Sequence, residues 1–310
     1  MKASATVDRQ EQQQDALAVR AARLYYYQAL NTTEIAHELG TSRSTVSRLL
    51  SWARDHGLVE IQIHDPADHP SNLETQLRER FRLPVAKVVA VPARSTEQDW
   101  HDRVTTYAAG YLNTVIKANT VVGVAWGTTV HDVSRRLTPK PAGNVDIVAL
   151  NGSGSSQAID SAFAGDIISR FAANYGGLPH FFPVPAFFDF AETRAALWRE
   201  RSVRRLLELQ QRADVLVYSL GAFSAVVPSR VHSGGFLEPA DLRSLRADGV
   251  VGDIATVFYR ADGSYADVAL NARASGPDLA LLRRARHSIC IASGTAKVAG
   301  LRAALAGRPW

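Results

Sequence analysis

The sequence predicts an α/β chain in two parts, a small N-terminal helix-turn-helix domain and a larger, doubly wound domain on a mostly parallel sheet. Three observations carry that reading. Residues 31–58 hold two short helical patterns around a glycine. Beyond residue 72, continuous apolar runs alternate with amphipathic stretches, as strands buried on both faces do when helices connect them. At 310 residues the chain exceeds the needs of one helical module, and its length points to roughly two domains.

The elements follow in order. Asp15 to Gln28 carries Leu17, Ala21, Leu24 and Tyr25 at helical spacing, a first helix that supports the next two. Asn31 or Thr32 caps the second helix, with Glu34 in its first turn, and Thr41 or Ser42 caps the third. Gly40 supplies the turn between them. In the third helix Val46, Leu49, Leu50 and Ala53 recur at i, i+3, i+4 and i+7, one stripe that packs on Ile35 and Leu39. Val59, Ile61 and Ile63 alternate with polar residues and predict a half-buried strand, the wing of a winged helix-turn-helix. Pro66 to Pro70 marks the linker, which sets the boundaries at 1–65, 66–72 and 73–310.

In the second part the predicted strands are 86–91, 120–126, 145–150, 214–220 and 288–293. Trp100 to Ile116 reads as a helix with Val104, Tyr107, Ala108, Tyr111, Leu112 and Val115 on one face. PHFFPVPAFFDF (179–190) is too broken by proline for a helix; it reads as core or interface, with some of it lining a ligand pocket.

Composition narrows the function classes. Residue Cys290 is the single cysteine, so no intramolecular disulfide forms. The N-terminus lacks the apolar stretch of a signal peptide, and no run reaches the roughly 20 apolar residues of a membrane span, so a cytoplasmic protein is expected. The net charge is +5, yet residues 1–65 hold seven bases and eight acids, leaving the excess to the larger part. Overall basicity therefore says nothing about nucleic acid. The local pattern does: between Thr41 and Arg54 stand three arginines and no acid. Arg43, Ser44, Ser47 and Arg48 point away from the apolar stripe, and a helix carrying arginines and short hydroxyls fits the major groove of DNA. Thr33, Ser42 and Thr45 join them as candidate contacts to double-stranded operator DNA.

An open α/β sheet binds ligands at the carboxyl ends of its strands. After the strand at 120–126, Gly127, Thr128 and Thr129 open a helix, and backbone N–H groups with two hydroxyls at a positive helix start suit a phosphate. NGSGSS (151–156) follows the next strand and does not match the dinucleotide fingerprint. Asp253 and Lys297 are read as lying just past turns, where a carboxylate and an ammonium would hold sugar hydroxyls and phosphate. The nine histidines show no metal-ligand spacing, no nucleophile has an evident base partner, and no cofactor is expected.

Several motifs in this order carry a resemblance: LYYYQALNTTEIAHELGTSRSTVSRLLSWARDHGLVEIQI (24–63), GVAWGTT (123–129), DGVVGDI (248–254) and ASGTAKVAGLRAAL (292–305). Along nearly its whole length the chain resembles the SorC family of bacterial sugar-binding transcriptional regulators, and FFPVPAFFD (181–189) looks most like the deoxyribonucleoside-regulator branch. The resemblance implies a winged-helix-like domain on an effector domain of the sugar-phosphate isomerase/deaminase type without enzymatic activity. It also implies a homo-oligomer, dimer or tetramer, whose operator affinity changes with a phosphorylated sugar such as deoxyribose 5-phosphate. Carried over, Gly127, Thr128 and Thr129 hold the phosphate, and Asn151, Gly152, Ser153, Asp253 and Lys297 complete the pocket.

Two departures stand out. Where some relatives place a lysine or arginine, this chain has Asn151, which forms no imine and adds no charge. Relatives also continue beyond the AALAG-like segment, so an incomplete sheet edge, or one completed by a neighbouring subunit, is expected. The rival reading is a sugar-phosphate isomerase or deaminase with an accessory helix-turn-helix, using Asp253 or Lys297 as acid or base. It lacks an acid/base cluster in the sequence and a use for the N-terminal helices.

Overall fold

The computed structural model describes residues 2–28, 30–59, 70–154, 158–222, 231 and 235–307. Two compact units divide the chain, Met1–Asp68 and His69–Trp310.

The first unit is built on α1 (Lys2–Tyr26), α2 (Thr32–Glu38) and α3 (Arg43–Asp55). Asn31 caps α2: its Oδ1 accepts from the Thr33 and Glu34 N–H groups at 2.9 and 3.1 Å, and Glu34 Oε2 accepts from the Asn31 N–H at 2.8 Å, a reciprocal capping box. Ser42 caps α3, its Oγ accepting from the Thr45 N–H at 3.2 Å. Gly40 turns the chain at φ +60°, where a side chain would be strained. Val46, Leu49, Leu50 and Ala53 of α3 pack with Ile35 of α2, as their spacing predicts, and with Ala36, while the expected Leu39 is partly buried against the same cluster.

On α1 the buried face differs from the expected one. Ala18, Ala21, Ala22 and Leu24 are buried, whereas Leu17 is 48 % and Tyr25 41 % exposed. Small residues let α1 approach α3 closely, and Asp15 Oδ1 accepts from Trp52 Nε1 at 2.7 Å across that contact. The predicted wing strand runs into residues 60–63, outside the described residues.

The second unit opens with α4 (Pro70–Phe81). Residues 70–72 of the expected linker are therefore helical. Residues 86–91 are not a strand. Their apolar run matches strand composition, but Glu74 Oε1, not a neighbouring strand, accepts from the Val88 N–H at 3.0 Å. Then come α5 (Glu97–Val115), β1 (Val121–Val124), α6 (Thr128–Arg135), β2 (Asp146–Ala149), α7 (Ala158–Tyr175), β3 (Leu178–His180), α8 (Ala191–Leu197), α9 (Arg201–Gln211) and β4 (Val215–Ser219). With β8 (His287–Ile291) these strands form a five-stranded, wholly parallel sheet in the order β3-β2-β1-β4-β8.

Alternation along each strand fills two layers. Val122, Val124, Ile147, Ala149, Val215 and Val217 face one core; Val121, Val148, Leu150, Leu216 and Tyr218 face the other. Gly123 makes room for two leucines, since a Cβ there would lie 2.7 Å from both Leu150 Cδ2 and Leu216 Cδ2. On α5 the buried face is Thr105, Ala108, Ala109 and Leu112, while the expected core residue Tyr107 is 44 % exposed. A second, antiparallel sheet of β5 (Gly221–Ala222), β6 (Val250–Ile254) and β7 (Val257–Arg260) was not anticipated. A 3-10 turn, Thr295–Lys297, follows β8 and leads into the helix Val298–Gly307.

Candidate functional site

On α3, Arg43, Ser44, Ser47 and Arg48 are exposed, with Ser42 at the cap and Thr45 half-buried; Thr33 is exposed on α2. Ser42 Oγ lies 2.8 Å from Ser44 Oγ and 2.9 Å from Thr45 Oγ1. Arg48 Nε donates to the Ser44 carbonyl at 3.4 Å and Nη2 to Thr45 Oγ1 at 3.5 Å, long contacts that leave the guanidinium draped along the first turn. The face therefore offers two arginines and four hydroxyls around one helix start. Ser42 and Thr45 already hydrogen-bond locally.

In the larger unit, β1 stands where the strand order reverses: β2 lies on one side and β4 on the other. Crevices at such reversals are where open α/β sheets bind ligands. Gly127 precedes α6 there, with no side chain capping the helix start, and a Cβ on it would meet nothing within 4 Å. First-turn N–H groups with no side-chain cap among the described residues, beside open space, make a ready anion cradle. Thr128 is exposed and Thr129 is buried.

Lys297 reaches this point from the turn after β8. Its Nζ donates to Thr129 Oγ1 at 2.8 Å and to Ser219 Oγ, at the end of β4, at 2.7 Å. Loss of water lowers the ammonium's pKa, and the nearby Cys290 and Asp253 partly offset this. Nothing in the sequence marks Ser219 among ordinary strand-end serines.

Asp253 does not sit past a turn as expected. It lies within β6, 4 % exposed, opposite Gly221. A Cβ on Gly221 would fall 1.8 Å from Asp253 Oδ1, so glycine is what lets the carboxylate occupy that space.

The loop after β2 borders a cleft of about 890 Å³, lined by Trp126, Asn151, Ser153, the aromatic segment from Phe181 to Phe190, Phe236 and Arg273. The aromatic run thus divides its duties as predicted: Phe182, Val184, Ala186 and Phe188 are buried in the core, and the segment also walls the cleft. Asn151 is 2 % exposed, and among the described residues neither its Oδ1 nor its Nδ2 has a partner. Gly152 is structural, its N–H donating to Ser275 Oγ at 2.9 Å and its carbonyl accepting from Trp126 Nε1 at 2.8 Å. A Cβ there would lie 2.4 Å from the Val184 carbonyl oxygen. Arg273, also unmarked in the sequence, pairs with Asp241 and donates to the Phe188 carbonyl at 2.9 Å. Asn151 and Ser153 line the cleft, whereas Gly127, Thr128, Thr129, Asp253 and Lys297 do not. Their cluster lies at the β1/β4 reversal and the cleft over β1 and β2, neighbouring stretches of one sheet edge. Ser155 and Ser156 of the NGSGSS segment lie outside the described residues. Among the described residues no group of acids, histidines or cysteines could hold a metal ion, and no helix is long and apolar enough to cross a membrane.

Comparison with known proteins places this architecture. Residues 65–310 match the family model Sugar-bind, "Putative sugar-binding domain". The chain is 32 % identical to the deoxyribonucleoside regulator of Bacillus subtilis, over 97 % of this chain and 94 % of that protein. It is 28 % identical to the sorbitol operon regulator of Klebsiella pneumoniae, over 94 % and 92 %. Among solved structures, a domain of a possible sugar-binding transcriptional regulator from Arthrobacter aurescens TC1 is 41 % identical with a TM-score of 0.72, covering 79 % of this chain and 94 % of that one. The full-length sorbitol operon regulator SorC of Klebsiella pneumoniae superimposes with a TM-score of 0.78 at 27 % identity, covering 95 % and 93 %. With a parallel α/β sheet, a helix-turn-helix unit and a family match across the larger unit, the chain belongs to the SorC family of sugar-binding transcriptional regulators.

Proposed function

We propose that the chain is a non-enzymatic transcriptional regulator of a carbohydrate or nucleoside catabolic operon, switched by a phosphorylated sugar. Arg43, Ser44, Thr45, Ser47 and Arg48, with Thr33 and Ser42, contact operator DNA. A homo-oligomer, dimer or tetramer, presents two such helices to a pseudo-palindromic site. Gly127, Thr128 and Thr129 take the phosphate; Asn151, Gly152, Ser153, Asp253 and Lys297 shape the rest of the pocket. The larger unit is read as a sugar-phosphate isomerase/deaminase-type fold retaining ligand binding without turnover.

The observation that carries this reading is the convergence of Lys297 Nζ on Thr129 and Ser219 beside a helix start without a side-chain cap. A cation and open N–H groups at a strand-order reversal suit a phosphate ester. The Asn151 carboxamide, without a partner among the described residues, supports a polar ligand beside it, because an unmade hydrogen bond costs about 1–3 kcal/mol. With asparagine there, the sugar forms no imine at that position. Deoxyribose 5-phosphate is the first candidate, following the name of the Bacillus relative.

A thermal-shift screen of phosphorylated pentoses, polyols and hexoses tests the reading. A ligand at a hundred times its Kd adds about 2.7 kcal/mol of stability, a clear rise in melting temperature. No response to any phosphorylated sugar would remove the effector from the account.

A further inference from the structure

We infer that His101 is a positioning residue for the Lys297–Thr129 pair, tying the loop that carries Lys297 to the helix that carries Thr129. The inference rests on the reading of that pair as part of the effector site.

His101 lies on α5, its Nδ1 3.1 Å from Ser293 Oγ and its Nε2 2.8 Å from Asp132 Oδ2. Asp132 is on α6, three residues past Thr129, and its Oδ1 also lies 3.2 Å from His131 Nδ1. An ionised carboxylate only accepts hydrogen bonds, so His101 directs its Nε2 proton to Asp132. In that tautomer Nδ1 is the acceptor for the Ser293 hydroxyl.

Glu97 stands one turn earlier on the same face of α5. Its Oε1 accepts from Thr295 Oγ1 at 2.7 Å and from the Thr295 N–H at 3.3 Å. Between Ser293 and Lys297 the loop is thus gripped twice by one helix before Lys297 turns to Thr129. The contacts close a ring: Lys297 to Thr129, along α6 to Asp132, through His101 to Ser293, and back along the loop. Serine, imidazole and carboxylate stand here in the order of a hydrolytic triad, but the Thr295 N–H is already bonded to Glu97, so it supplies no oxyanion donor.

The test reads the position of Lys297 without any ligand. Full-length protein is labelled with acetic anhydride, and mass spectrometry compares Lys297 with Lys87, an exposed lysine paired with Glu74. In the wild type Lys297 is acylated more slowly than Lys87. In His101→Ala the Lys297/Lys87 ratio rises about threefold or more, because a released loop opens locally. Ser293→Ala raises it by less. His101→Gln, which keeps one donor for Asp132 and one acceptor for Ser293, restores a ratio near the wild type, a rescue that loss of general stability would not give. Unchanged ratios in His101→Ala and Ser293→Ala overturn the inference; if His101→Ala does not fold, Ser293→Ala decides alone. A wild type indifferent to every sugar phosphate would overturn the effector reading and leave these ratios as they are, so the two failures are told apart.

Discussion

Replacing Lys297 with methionine should separate binding from folding. The side chain keeps its length and apolar stem but loses the ammonium that donates to Thr129 Oγ1 at 2.8 Å and Ser219 Oγ at 2.7 Å. Hydrogen bonds to a charged group contribute roughly 1.5–3 kcal/mol each, while drawing the ammonium out of water costs several kcal/mol. These terms oppose each other, and both hydroxyls can redirect their own protons. Folding stability in the absence of ligand should therefore change by no more than about 2 kcal/mol in either direction. Binding has no such offset: removing the cation from a phosphate ester forfeits at least about 2 kcal/mol, roughly 30-fold in Kd. Urea denaturation gives the first number and isothermal calorimetry with the best sugar phosphate the second. A variant of wild-type stability that binds with unchanged affinity would refute the assignment of Lys297 to the effector.

Three further outcomes follow from the geometry. Gly152→Ala places a methyl 2.4 Å from the Val184 carbonyl oxygen and 2.7 Å from that of Pro185; backbone cannot yield cheaply, so a loss of about 1–3 kcal/mol is expected, read as roughly 2–4 °C of melting temperature per kcal/mol, and an unchanged melting curve would show that the loop moves freely. Burial pushes the Asp132 carboxyl up, but hydrogen bonds from His101 and His131 outweigh it and hold its pKa below the usual carboxyl range. A folded pKa below the unfolded one contributes stability that is present at neutral pH and lost as pH falls through the folded value, so Asp132→Asn should flatten part of the acid dependence below about pH 4; an identical slope in the two proteins would count against the network. Arg48→Ala should weaken operator binding by about 1–3 kcal/mol if the guanidinium reads a base, or weaken operator and random DNA alike if it holds phosphate, and gel shifts at fixed salt distinguish these from no effect at all.

Local pattern and long-range contact divide what the sequence reveals. The helix-turn-helix stripe of Val46, Leu49, Leu50 and Ala53 and four of the five predicted strands were legible, because periodicity records which face is buried. Residues 86–91 misled because β-branched composition does not say whether a partner strand is present. Leu17 and Tyr25 misled because hydrophobicity outranked size: the α1–α3 contact uses alanines. The short β5, of only two residues, lies below any periodic signal, and without it nothing in the sequence separates Asp253 of β6 from a turn carboxylate. At the site, Gly127 to Thr129 could be read from a local strand-to-helix junction. Ser219 could not be linked to Lys297, 78 residues away, nor Ser293 to His101, 192 residues away. Those contacts exist only because parallel strands bring their carboxyl ends to one edge.

If the larger unit governs what α3 does on DNA, as proposed, sugar and operator binding are coupled, and a linked binding measurement reads that coupling. Operator affinity is measured by fluorescence anisotropy at fixed salt, with and without the sugar phosphate that most raises the melting temperature, and sugar affinity is measured with and without operator. With such coupling the sugar shifts operator affinity by about 5–150-fold, and operator shifts sugar affinity by the same factor. Tight sugar binding that leaves operator affinity unchanged would contradict it.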